Sequence, residues 1–169
     1  MDQKEDTSYT DAKGRVRWRR NDEIAEKLQQ FHDILVIGGY EESHAARYPR
    51  LAYAISRHPE SIYNLHREGR LSAIPGVGGT IAGIIGEFLE TGTCAKLEEF
   101  AEHTPKTVLG LTAIPGLGVK TVKMLYEEFG IDSLASLQEA LDQGRLEGIK
   151  GIGKKTMENI RQHISANLK

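Results

Sequence analysis

The chain has 169 residues, of which 39% are hydrophobic and 27% are charged, as expected of a globular protein with one or two modest cores. Its formal net charge of −2 at pH 7 argues against a protein that is basic over its whole surface, so binding to a polyanion would require a local cationic surface. A single cysteine, Cys94, excludes an internal disulfide bond and a cysteine-based zinc site.

The longest apolar runs are short, and the polar N-terminus has no signal-peptide pattern. We therefore expect the protein in the cytoplasm, associated with the nucleoid, with no membrane as a partner.

Residues 1 to 20 are predicted to form a flexible basic arm, because they lack apolar periodicity. Its cationic residues surround Trp18: Lys13, Arg15, Arg17, Arg19 and Arg20. Two interpretations stay open, a tail that contacts phosphates and stacks through its tryptophan, or a solvated leader without such a role. The alternation Arg-Val-Arg-Trp-Arg also fits a short strand. Since no second strand pattern accompanies it, we do not predict a strand.

The rest of the chain is predicted to be all-α, in two domains at 21–103 and 104–169. A first helix should begin at Asn21 as N-cap and end at the Gly38-Gly39 pair, with Ile24 and Leu28 on its buried face. Further helices are predicted from apolar spacing in the regions 43–58, 62–65, 97–101 and 134–141. Pro105 lies in the linker.

One eight-residue phrase occurs three times. It reads Leu-Ser-Ala-Ile-Pro-Gly-Val-Gly at 71–78, Leu-Thr-Ala-Ile-Pro-Gly-Leu-Gly at 111–118 and Leu-Glu-Gly-Ile-Lys-Gly-Ile-Gly at 146–153; we call these segments hairpins 1, 2 and 3. Two glycines one residue apart permit a tight turn with positive φ, and an amphipathic helix is predicted directly after each copy. Free N–H groups at such a helix start, together with the positive end of its dipole, suit a phosphate oxygen.

The phrase resembles the helix-hairpin-helix motif, and residues 21–167 resemble the N-terminal part of bacterial and archaeal family X DNA polymerases. The resemblance rests on Pro75 to Gly92, on Ala46-Arg47-Tyr48, on Ile114 to Gly118 and on Gly148 to Gly153. It implies a lyase-like four-helix domain with one hairpin, similar to that of DNA polymerase beta, followed by a tandem hairpin domain of the SAM-like type.

The resemblance also implies which residues contact DNA. They are the turn glycines, the first residues of each following helix and nearby lysines: Gly76, Gly78, Gly79 and Thr80 in hairpin 1; Gly116, Gly118, Val119, Lys120 and Lys123 in hairpin 2; Gly151, Gly153, Lys154 and Lys155 in hairpin 3; and His44 and Tyr48 of the 5′-phosphate pocket. Backbone contacts of this kind carry no base information. Each hairpin can also serve only as a compact joint between packed helices, and hairpin 1, which lacks lysines, is expected to contact DNA least.

Members of the family also hold a monovalent cation, K⁺ or Na⁺, on backbone carbonyls of the hairpins. In this chain the implied carbonyls belong to Ser72, Ile74 and Val77 and to Thr112, Ile114 and Leu117. No other cofactor is expected to be required.

Two departures from the family pattern argue against catalysis. Ile84 occupies the position of the lysine that forms a Schiff base in the lyase reaction, and no Asp-x-Asp motif for a two-metal polymerase site occurs. We therefore expect a non-catalytic protein that grips gapped, nicked or branched DNA in repair, beside a separate polymerase or nuclease. Three alternatives stay open: a lyase with a non-matching lysine such as Lys96, a protein-binding scaffold, and the N-terminal fragment of a longer polymerase.

Overall fold

The computed structural model describes residues 5–168 and is mostly α-helical, which confirms the predicted fold class. Its elements are β1 (Ser8–Thr10), β2 (Val16–Trp18), α1 (Arg19–Ile37), α2 (Glu42–Ala45), α3 (Arg47–Ser56), α4 (Ile62–Arg67), α5 (Gly79–Thr91), α6 (Ala95–Ala101), α7 (Leu109–Thr112), α8 (Val119–Phe129), α9 (Leu134–Asp142) and α10 (Lys154–Asn167), with 3₁₀ turns at Leu71–Ala73 and Lys106–Val108.

The chain folds into two compact units. The first consists of the chain up to His32 and of Ser43–Glu98, and the second of Asp33–Glu42 and Glu99–Lys169. Hairpin 1 therefore belongs to the first unit, and hairpins 2 and 3 belong to the second. The predicted division between 103 and 104 lies a few residues after Glu98, and no pattern in the sequence indicated that residues 33–42 join the second unit.

The core of the first unit is built around aromatic edge-to-face contacts. Phe31 of α1 is fully buried, and its ring centroid lies 4.7 Å from that of Tyr48 and 6.0 Å from that of Phe88. In the second unit, Tyr40 meets Phe100 with centroids 5.9 Å apart. Gly38 is required there, because a Cβ at this position would lie 2.7 Å from Cδ1 of Phe100.

Residues 8–18 form a β-ribbon, so the expectation of an irregular arm is wrong for this part. Strands β1 and β2 pair antiparallel, with Tyr9 opposite Arg17. The side chain of Asp11 accepts from the backbone N–H groups of Lys13 and Arg15 and from Nε of Arg17, at 2.9 to 3.0 Å. The first four residues of the predicted arm lie outside the described residues.

Contacts with the first unit hold the ribbon in place. Nη1 of Arg17 donates to the carbonyl of Ser56 at 2.7 Å, and Nε1 of Trp18 donates to that of Pro59 at 2.9 Å. Arg17 is only 9% exposed. Of the candidate contact residues of the predicted arm, Arg17 and Trp18 are therefore engaged within the protein.

Asn21 is not the N-cap of α1, because the helix begins at Arg19. Asn21 is fully buried, its Oδ1 accepts from the backbone N–H of Ile62 at 2.8 Å, and its Nδ2 donates to the carbonyl of Glu60 at 3.0 Å. Its polar side chain thus joins α1 to the start of α4. Over residues 5–168, no helix combines the length and the apolar character that a membrane span requires.

Candidate nucleic-acid interface

Each hairpin turns through the same hydrogen-bonded bend. In hairpin 1, the N–H of Val77 donates to the carbonyl of Ile74 at 3.0 Å, and Gly76 between them has φ +86°. A bond from residue i+3 to residue i with positive φ at i+2 describes a type II turn, which favours proline at i+1 and glycine at i+2. The corresponding glycines of hairpins 2 and 3 have φ of +89° at Gly116 and +92° at Gly151.

Apolar side chains fix each turn on its own unit. The residues of the turns that are less than a tenth exposed are Leu71, Ile74 and Val77; Leu111, Ile114 and Leu117; and Leu146 and Ile152. The glycines between them are exposed. The repeated leucine and isoleucine positions therefore anchor the bend and leave its glycine backbone at the surface.

A helix begins directly after each turn without a side-chain cap. Gly78, Gly118 and Gly153 are the N-caps of α5, α8 and α10, all three have extended ψ, and none provides a capping side chain. The first N–H groups of an α-helix have no partner within the helix. These helix starts can therefore donate to an oxygen anion, which the helix dipole also favours.

The cationic side chains at hairpins 2 and 3 differ in their environment. Nζ of Lys120 lies 3.4 Å from a carboxylate oxygen of Glu42, and Nζ of Lys123 lies 4.0 Å from one of Glu127. Lys154 and Lys155 are exposed, and among residues 5–168 their side chains have no ion pair or hydrogen bond. The third hairpin thus offers two uncompensated positive charges, while acids partly compensate those of the second.

Hairpins 2 and 3 contact each other reciprocally. A Cβ on Gly116 would lie 2.7 Å from Oγ1 of Thr156, and one on Gly151 would lie 3.5 Å from Oγ1 of Thr121. Both threonines occupy the third residue of the helix that follows the opposite turn. In addition, Nδ2 of Asn159 donates to the carbonyl of Pro115 at 3.0 Å. These contacts fix the separation of the two helix starts.

The residues implied for a 5′-phosphate pocket lie in the first unit. His44 and Thr80 are exposed, whereas Tyr48 is 4% exposed and its ring packs on Phe31. Ile84 is half-buried on α5. At this position the structure presents an aliphatic side chain, with no amine to act as a nucleophile.

Sequence reasoning did not single out Thr121, Thr156, Asn159 or Glu42. The two threonines did leave a signal, because each is the third residue after the last glycine of its hairpin, in Gly118-Val-Lys-Thr and Gly153-Lys-Lys-Thr. Glu42 left none, since 77 residues separate it from Lys120 in the chain.

Comparison with known families agrees with this geometry. Residues 19–94 match a family described as a helix-hairpin-helix domain, and residues 84–129 and 108–165 match one described as a SAM-like helix-hairpin-helix tandem. Residues 19–165 thus contain helix-hairpin-helix domains. Domains of this kind imply binding to DNA.

Similarity to a known DNA polymerase supports the predicted resemblance. The DNA polymerase/3'-5' exonuclease PolX of Bacillus subtilis (strain 168) is 34% identical to the chain over 94 residues, which make up 56% of the chain and 16% of that relative. The helix-hairpin-helix chain is thus similar to the N-terminal region of a family X DNA polymerase, and it covers only a small part of such a protein.

Proposed function

We propose that the helix-hairpin-helix chain binds DNA through backbone phosphates, without reading bases, and that hairpins 2 and 3 make the main contacts. The observation that supports this most strongly is the set of three glycine-capped helix starts, each exposed after an anchored turn. Backbone N–H groups recognise phosphate oxygens regardless of sequence. The reciprocal packing of Gly116 and Gly151 against the opposing threonines would hold two such donors at a constant spacing.

The lysines suggest an order among the hairpins. Cations near a phosphate release condensed counterions, and this release supplies much of the affinity for DNA. Lys154 and Lys155 can make this contribution in full, whereas Lys120 must first leave Glu42. Hairpin 3 should therefore contribute most to affinity, hairpin 2 less, and hairpin 1, which has no lysine, least.

The preferred substrate under this proposal is gapped, nicked or branched DNA, in the context of repair. Similarity to PolX, a DNA polymerase and exonuclease, supports this context. With Ile84 at the position of the lyase amine, the chain would bind such DNA without reacting with it and would leave the chemistry to a separate polymerase or nuclease.

Fluorescence anisotropy with a labelled duplex that contains a one-nucleotide gap and a 5′-phosphate tests the proposal. Intact duplex and single strand serve as comparisons, over a salt series. We expect tighter binding to the gapped duplex and a log–log salt slope of roughly −4 to −5, from about four to six phosphate contacts. The absence of saturable binding to all three DNAs at moderate salt would contradict the proposal and favour a protein-binding scaffold.

Matched lysine variants locate the contact. The double substitution Lys154→Gln and Lys155→Gln should reduce the magnitude of the salt slope by about 2, since each lost phosphate contact contributes about 0.9. The control replaces Lys27 and Arg70, two exposed cations of the first unit, with glutamine and makes the same change in net charge. An equal change in slope for both double variants would show that only the overall charge matters.

A monovalent cation at the hairpins is a further part of the proposal. The carbonyls of Ile74 and Ile114 each accept one turn hydrogen bond, and a carbonyl oxygen has two lone pairs, so both can still accept a cation. With the other carbonyls implied by the family, those of Ser72, Val77, Thr112 and Leu117, they would hold it, and it would place positive charge beside a phosphate. Binding should then be tighter in K⁺ or Na⁺ than in N-methylglucamine at equal ionic strength.

The lyase alternative has its own test. A Schiff base between a lysine such as Lys96 and an abasic sugar can be reduced with borohydride to a covalent adduct. We expect no adduct with an incised abasic duplex, and a Lys96-dependent adduct would identify the chain as an enzyme.

A further inference from the structure

The outward face of α3 combines an exposed aromatic ring with arginines. Tyr53 is 63% exposed, the largest exposure among the large hydrophobic residues that the structure describes. The guanidinium carbon of Arg57 lies 3.8 Å from its ring centroid and so orients the ring while most of it stays in solvent. From Arg47 to His58 the sequence has three arginines and no acid, in a chain whose net charge is negative.

A groove with a cavity volume of about 420 Å³ runs along the same helix in the first unit. Its lining includes Arg47, Arg50 and Ala54 of α3 and Pro75 and Gly76 of hairpin 1. A Cβ on Gly76 would meet no atom within 4 Å. The equivalent glycine of hairpin 2, Gly116, packs against Thr156. The corresponding side of hairpin 1 is therefore open.

The two arginines in the groove are available to an anion. Nε of Arg47 donates to the carbonyl of His44 at 2.9 Å, which holds the side chain without neutralising its charge. Arg50 is exposed and, within the described part of the chain, its side chain makes no ion pair or hydrogen bond. The surface therefore carries guanidinium groups that match phosphate geometry and have no counter-ion among residues 5–168.

We propose that this face of α3, together with the groove beside hairpin 1, binds an unpaired DNA strand. Arg47 and Arg50 would contact its phosphates, and a base would stack on Tyr53. Only an unpaired base can present its face to an exposed ring, since bases inside a duplex are already stacked. The face spans about 15 Å from Arg47 to Arg57, which corresponds to about four stacked nucleotides. The inference rests on the proposed DNA binding and adds a strand that the phosphate contacts of the hairpins do not require.

The test compares two gapped duplexes that differ only in a 5′ single-stranded flap of oligothymidine. Wild type should bind the flapped duplex more tightly. Tyr53→Ala should lose about 5- to 150-fold in affinity for the flapped duplex, the range expected for one stacked base, and should bind the unflapped one as before. Arg50→Gln should weaken flap binding as well, and Tyr53→Phe should restore it because phenylalanine keeps the ring.

Arg70→Gln is the matched control for the arginine. It makes the same change in net charge in the same unit, but the guanidinium of Arg70 is paired with Glu68 at 2.7 Å and with Glu60 at 3.6 Å. We expect it to leave flap binding unchanged. The inference is overturned if Tyr53→Ala binds the flapped duplex like wild type, or if Arg70→Gln weakens flap binding as much as Arg50→Gln.

The outcomes also separate this inference from the proposed function. If wild type binds the gapped duplex but binds the flapped duplex no more tightly, the proposed strand site is wrong and the proposed function stands. If wild type binds oligothymidine alone in a Tyr53-dependent way but binds no duplex, the hairpin proposal fails and the strand site stands. If it binds none of these DNAs, both fail.

Discussion

The close approach of Gly116 to Thr156 predicts that Gly116→Ala will destabilise the protein more than the same substitution in hairpin 1. Both Gly116 and Gly76 have φ near +90°, so alanine costs about 1–2 kcal/mol of backbone energy at either position. Only at Gly116 does the new Cβ also meet another side chain, 2.7 Å from Oγ1 and 3.3 Å from Cγ2 of Thr156.

Rotation of Thr156 cannot relieve this contact easily. Threonine is branched at Cβ, and the Cβ of Thr156 itself would lie 3.4 Å from the new methyl group. Overpacking of this kind costs about 1–3 kcal/mol. We therefore expect a total loss of about 2–5 kcal/mol for Gly116→Ala, against about 1–2 kcal/mol for Gly76→Ala.

Urea unfolding followed by circular dichroism at 222 nm measures both costs. A double-mutant cycle isolates the contact, because Thr156→Ala removes Oγ1 and Cγ2. In the Gly116→Ala background it should recover about 1–3 kcal/mol of unfolding free energy. Equal costs at Gly116 and Gly76, or no recovery through Thr156→Ala, would refute the reasoning.

Three further predictions concern single polar contacts. Glu42→Gln should tighten DNA binding by a factor of about 1.4 to 5 by releasing Lys120, as an exposed ion pair is worth about 0.2–1 kcal/mol. Glu128→Gln, the same charge change at an exposed site of α8, should tighten it less. Asn21→Ala should lower the free energy of unfolding by about 1–3 kcal/mol in urea titrations, because buried partners lose their hydrogen bonds. Hydrogen bonds from the backbone N–H of Arg15 and from the Arg17 guanidinium hold the pKa of Asp11 well below its usual range. The stabilisation from this lowered pKa is present above about pH 4 and is lost as the pH falls further. Tryptophan fluorescence of the wild type should therefore be constant from pH 7 to pH 5 and change at lower pH. The Asp11→Asn variant should not show this change.

The sequence predicted those features that local chemistry determines. Proline and glycine at adjacent positions set the bend of hairpins 1 and 2, and the glycine two residues further on sets the start of the next helix. Because Leu111 and Ile114 recur at equivalent positions in hairpin 1, the buried anchors were visible too. Each of these features depends on fewer than ten consecutive residues.

Features that depend on distant partners were not predictable. The strands β1 and β2 have three residues each, and contacts to Ser56 and Pro59 stabilise the ribbon that they form. Asn21 was predicted to be a helix cap. The hydrogen-bond partner of its side chain, the backbone N–H of Ile62, lies 41 positions away, so the local sequence did not reveal it. Polar side chains in these positions give the same local pattern whether they face solvent or a partner.

The glycine N-caps of α5, α8 and α10 contribute less to helix stability than a capping side chain would, but they leave the first helix N–H groups available to a phosphate. Helices α4 and α9 instead have Ser61 and Ser133 as N-caps, and the side chains of these serines accept hydrogen bonds from helix N–H groups. Serine or aspartate at Gly118 or Gly153 would add a few tenths of a kcal/mol to the stability of the helix, but its oxygen would occupy the donors that a phosphate needs. A programme of thermostabilisation guided only by helix capping would therefore select variants that melt later and hold DNA less well.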